Sequence, residues 1–124
     1  MASFPRILIA AALVAAGALL PALGAAPEKA PVGSVGMGHE VFTTEKITIH
    51  RGESLLFVND SRYMHIIGPG RDGSLYTEDG SPMDYRVLMP TNDTYTVGPF
   101  NTVGTFSITC SMHPEMTVVV TVTD

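Results

Sequence analysis

In the run Thr105-Phe106-Ser107-Ile108-Thr109-Cys110, apolar side chains alternate with hydroxyls, and Val118, Val120 and Val122 form a second such row before the C-terminus. A period of two belongs to a strand with one buried face; a helix would scatter the same side chains around its axis. The β-branched Thr and Val that fill both runs are stiff at χ1 and suit a pleated surface. These runs therefore demand a sheet. They also aim Cys110 at the core beside Phe106 and Ile108, and they hold the intervening loop between two strands.

Upstream the same signature recurs as short runs separated by turn residues. Strands are expected at 40–43, 46–50, 54–59, 64–67, 85–88, 94–97, 105–110 and 117–123, with Arg51-Gly52-Glu53 as one of the turns. Such spacing predicts an all-β domain, a sandwich or barrel of mainly antiparallel strands. Residues 68–84 break the pattern. Gly70, Gly73 and Gly80 and the charged Arg71, Asp72, Glu78, Asp79 and Asp84 outweigh their few apolar groups. They read as a long surface excursion, either bordering a partner surface or merely connecting two strands.

The chain opens with Arg6, an apolar stretch over 7–20, Pro21 and the small-residue sequence Ala22-Leu23-Gly24-Ala25-Ala26. This is the form of a cleaved export signal. The stretch falls short of the roughly 20 apolar residues that span a bilayer. Residues 1–24 are therefore expected to be removed, leaving no stable membrane insertion and a periplasmic or extracellular protein. Residues 25–38, rich in Ala, Pro and Gly, read as a flexible lead-in. Residues 39–124 read as one domain with its own core. Loss of Arg6 with the leader leaves the remaining Lys and Arg outnumbered two to one by the 12 Asp and Glu. That balance disfavours nucleic acid and acidic membranes and favours a protein partner with a basic patch. One Cys allows no internal disulfide, and in an oxidising compartment its thiol is a liability unless it is buried or held by a metal.

The loop between the last two strands carries the chemistry. In Cys110-Ser111-Met112-His113-Pro114-Glu115-Met116 a thiolate, an imidazole and a thioether follow one another at intervals of three. Three residues span at most roughly 10 Å, so one turn folds all three donors around a single ion, and Pro114 locks its own φ within that turn. Thiolate and thioether select copper, whereas zinc seldom takes a thioether. A further ligand is expected from a rigid part of the fold. Of the four histidines, His65 is the best candidate, lying in the apolar Tyr63-Met64-His65-Ile66-Ile67 ahead of Gly68-Pro69-Gly70. His50 shares a strand face with Lys46 and Thr48 and reads as solvated; His39, in a Gly-rich approach, is left open.

These residues resemble the cupredoxins, and within them the amicyanin and plastocyanin group. The likeness runs from Val41-Phe42 through the segment 47–54 and Phe57-Val58-Asn59 to His65. It resumes at Thr94-Tyr95-Thr96-Val97 and Gly104-Thr105-Phe106 before the Cys110 loop. It implies a Greek-key β-sandwich with copper held by His65, Cys110, His113 and Met116, the short spacing to Met116 being similar to the amicyanin loop. Two positions depart from the group. Ile66 stands where a polar residue commonly follows the first His and braces the ligand loop, and Met112 stands where Pro is frequent before the second. Glu115 also makes the surface beside His113 less apolar than usual.

The implied function is a monomeric, exported type 1 copper protein. It would carry one electron between redox partners such as a cytochrome, a dehydrogenase or an oxidase. Cys110 would supply the strong copper bond, His65 and His113 the rest of the trigonal plane, and Met116 a weak axial contact, with His113 the exposed ligand. An alternative is extracytoplasmic Cu(I) transfer, storage or resistance, suggested by Met64 and Met112 beside the ligands. An enzyme is not expected: His39 and His50 are too few for a second metal cluster, and no hydrolase arrangement is present.

Overall fold

The computed structural model describes residues 29–124, so the expected leader and the beginning of the lead-in lie outside the described residues. Nine strands follow in order: β1 Gly33–Gly36, β2 Lys46–His50, β3 Leu55–Val58, β4 His65–Arg71, β5 Ser74–Leu75, β6 Val87–Met89, β7 Thr94–Val97, β8 Gly104–Cys110 and β9 His113–Thr123. One sheet has the order β1-β3-β7. The other has the order β2-β9-β8-β4-β5, with β6 also paired to β4. The fold is an all-β sandwich.

The two alternating runs form the centre of the larger sheet. β8 and β9 pair antiparallel, with Phe106 opposite Val120 and Ile108 opposite Val118. Their inward row of Phe106, Ile108, Cys110, Met116, Val118, Val120 and Val122 is almost fully buried. Val35, Leu55, Phe57 and Val97 face it from the smaller sheet, within one continuous core. Val119, on the other face of β9, is only half-buried, as the period requires.

Three expectations change. The lead-in is not flexible throughout: residues 33–36 form β1, parallel to β3, with Val35 and Met37 wholly buried. Their period-two pair was masked by the surrounding glycines, of which Gly36 packs so closely on Thr43 that a Cβ would meet its Cγ2 at 2.8 Å. The domain thus begins before residue 39. Residues 40–43 are not a strand; the Gly38 N–H bonds the Val41 carbonyl, and Phe42 makes a single bridge to Met37. Residues 68–84 are not all surface excursion either. β4 continues through buried Gly68, Pro69 and Gly70, turns at Asp72-Gly73 and returns as β5. Gly70 is required there, because a Cβ would collide with the Ser74 carbonyl.

Candidate metal centre

The termini of three strands converge at one end of the larger sheet. His65 begins β4, Cys110 ends β8 and His113 begins β9. Ile67 is the cross-strand partner of Cys110, so His65, two residues earlier on the same face, lies diagonally beside the thiol. Across the β8–β9 hairpin Cys110 pairs with His113, after a register shift between Thr109 and Cys110. Ser111-Met112 makes the turn, and the Ser111 N–H bonds the Ile66 carbonyl at 2.9 Å, tying the loop to β4. β9 thus starts at His113, four residues before the alternating run that marked it in the sequence.

The Nδ1 atoms of His65 and His113 each lie 3.7 Å from Cys110 Sγ. The donor atoms of all three residues fall within 4.8 Å of one another. Metal bonds of about 2.0 Å to nitrogen and about 2.3 Å to sulfur, opened by 120°, place sulfur and nitrogen about 3.7 Å apart. The two observed separations therefore fit one ion shared by these three donors. Cys110 and His65 have no exposed surface, whereas His113 is half-buried, making it the more accessible of the two imidazoles. Met116 is fully buried at the head of the inward row of β9, on the face toward which Cys110 points.

His65 is oriented from behind. Ser61 Oγ lies 3.3 Å from its Nε2. A proton held on Nε2 leaves the Nδ1 lone pair facing the thiol, the arrangement a metal-binding imidazole needs. Burial holds the His65 pKa below its usual value, and the neighbouring His113 and His39 push it the same way, so the ring is kept neutral and able to ligate.

His39 and His50 part company. His50 is exposed and its Nδ1 lies 3.1 Å from the Asp124 carbonyl, on a strand end that pairs with Thr123; it is solvated, as expected. His39 is also exposed, but it stacks on Tyr63 with ring centroids 3.7 Å apart and meets His113 edge-on at 5.3 Å. It borders the site without entering the donor group. A His39→Ala variant is expected to keep the visible spectrum of the copper-loaded protein unchanged, read by a Cu(II) titration; a shifted spectrum would make His39 a ligand.

Asn59 and the Asp72-Gly73 turn were not singled out for the site in the sequence. Asn59 is fully buried and accepts a hydrogen bond from Ser61 Oγ at 2.6 Å, which puts it one residue behind His65. The Asp-Gly dipeptide is a strong hairpin signal, but only one short run follows it, and the charged residues around it concealed the pairing.

No family model and no curated protein matches the chain. Solved structures do. Amicyanin from Paracoccus versutus (Thiobacillus versutus) is 24% identical with a TM-score of 0.58, over 78% of this chain and 84% of that one. A purple cupredoxin from Nitrosopumilus maritimus is 19% identical with a TM-score of 0.59, over 73% and 99%. A reduced amicyanin mutant is 18% identical with a TM-score of 0.57, over 72% and 79%. Convergence of two imidazoles and a thiolate at one end of a sandwich that superposes on these proteins gives the chain the cupredoxin fold.

Proposed function

We propose that the chain holds one copper ion as a type 1 centre and carries single electrons between redox proteins outside the cytoplasm. The observation that carries this reading is the pair of 3.7 Å separations joining Cys110 Sγ to the two Nδ1 atoms. Two imidazoles and one thiolate, with a thioether on the axis, form the donor set of blue-copper electron-transfer sites. Mutants of amicyanin have been solved in Cu(I) forms.

In this reading His65, Cys110 and His113 would hold the copper ion and Met116 would add a weaker thioether donor. Copper supplies the reversible one-electron couple. The chain's own part is to hold the donors still: His65, Cys110 and His113 each sit at a strand end, and a ligand set that need not rearrange keeps the cost of changing oxidation state low. Burial of Cys110 protects its thiol from oxidation. His113, half-buried where His65, Cys110 and Met116 are fully buried, is the most exposed of these four side chains. The acidic balance of the chain suits a partner with a basic patch, and the segment 1–24 would supply export.

Met64 and Met112 support a second reading. Each directly precedes a proposed imidazole ligand, and each is about half exposed, so neither serves as packing. Surface thioethers there suit Cu(I) acquisition or delivery. Adding one equivalent of Cu(II) to the mature protein separates the two. An intense thiolate-to-copper band, narrow hyperfine splitting and a reversible couple with fast electron self-exchange are expected for a carrier. Immediate reduction, with Cu(I) retained and passed to a competing chelator, would establish copper handling instead.

A further inference from the structure

The ligand loop is closed at its base by two hydroxyls and held from outside by the β4–β5 hairpin. Thr109 directly precedes Cys110, Thr117 directly follows Met116, and the two are cross-strand partners. Thr117 Oγ1 donates to Thr109 Oγ1 at 3.1 Å, and Thr109 Oγ1 donates to the Met116 carbonyl at 2.7 Å. The two amides of the hairpin turn complete the network. The Asp72 N–H donates to Thr117 Oγ1 at 3.0 Å and the Gly73 N–H to Thr109 Oγ1 at 2.9 Å.

Both turn residues have positive φ, 52° at Asp72 and 81° at Gly73. This is the two-residue turn that suits the twist of a hairpin, and here it presents both N–H groups to the threonines. The turn also touches the loop, since a Cβ on Gly73 would meet Pro114 Cα at 3.0 Å. Thr109 is fully buried, and each hydroxyl proton and each turn amide in the network has an acceptor. A buried network satisfied in this way rigidifies what it joins. The Ile66 side chain has no polar atom to offer the loop, and at that position β4 contributes its backbone, the Ile66 carbonyl accepting from the Ser111 N–H.

We infer that the Asp72-Gly73 turn, acting through Thr109 and Thr117, is the brace that positions Cys110, His113 and Met116. The inference rests on the copper reading only for what the loop holds; the brace itself belongs to the metal-free chain. Thr109→Val removes the hydroxyl at nearly constant shape and Thr109→Ser restores it. Thr117→Val cuts the Asp72 link at a less buried position, should the first variant fail to fold.

Amide exchange in the metal-free protein and the Cu(II) paramagnetic resonance signal are the readouts. Either valine variant is expected to speed exchange at the turn amide whose acceptor it removes and at His113 by roughly tenfold, the effect of losing about one hydrogen bond. The copper signal should broaden or shift, and Thr109→Ser should return both readouts toward wild type. Faster exchange at the turn alone, with His113 and the copper signal unchanged, would overturn the brace. If the wild-type protein gave no type 1 signal, the copper reading would fail while exchange at His113 still decided the brace.

Discussion

A Cys110→Ser variant is expected to fold, to lose the intense visible band entirely and to bind Cu(II) more weakly by over about a hundredfold, beyond the 10- to 100-fold typical of losing a group behind a ligand. The thiol has no exposed surface and lies 3.7 Å from each of the two Nδ1 atoms, so both imidazoles contact it. A serine hydroxyl stays protonated near neutral pH and gives a hard oxygen in place of a soft thiolate. Its proton can bond one Nδ1, so no buried group is left without a partner, and metal-free stability should change by no more than about 1 kcal/mol. Absorption during a copper titration, calorimetry and thermal melting of the metal-free protein check the three parts. A surviving band would place the coloured centre elsewhere, and an unfolded variant would make Cys110 first of all a packing residue.

The site was more legible than the frame that carries it, for a physical reason. Cys110, His113 and Met116 are close in sequence, and strand parity alone aimed the thiol inward; the structure places Cys110 at the end of its strand with that orientation. Convergence of His65 with Cys110 and His113 depends on non-local pairing of β4 with β8, and the apolar stretch around it gave only a candidate. The hairpin at Asp72-Gly73 was hidden because its return strand is two residues long and too short to show a period. β1 was hidden because glycines interrupt its apolar row. Its stability comes from parallel pairing with β3 and from burial of Val35 and Met37, neither of which is a local property. The rows of β8 and β9 were plain because burial on one face and hydroxyls on the other write the period directly into the residues.

Loss of the Asn59 amide should be among the most damaging single changes outside the proposed ligands, with Asn59→Ala costing about 3–4 kcal/mol of stability, a large share of the 5–15 kcal/mol usual for a domain. Asn59 directly follows β3 in the smaller sheet, and its side chain bonds to the loop that leads into β4 and to β6 of the larger sheet. Nδ2 donates to the Tyr63 carbonyl at 2.7 Å and to the Met89 carbonyl at 2.8 Å. Oδ1 accepts from the Ser61 N–H at 3.1 Å and from Ser61 Oγ at 2.6 Å. Met89 is the cross-strand partner of His65, and Ser61 touches the His65 ring, so one amide ties both supports of this imidazole to the opposite sheet. Among the described residues every buried side-chain polar atom has a partner, and alanine would orphan several groups together. Asn59→Asp separates this account from simple cavity formation. Its carboxylate could still accept from Ser61 but would turn an oxygen toward two carbonyls that need a donor, so it should rescue nothing and destabilise at least as much as alanine. Urea unfolding of the metal-free variants measures both effects, and a copper titration should show affinity lowered by about 10- to 100-fold through the loosened His65. A cost below about 1 kcal/mol for alanine would mean that water replaces the amide, and His65 would then be held by its own strand pairing alone.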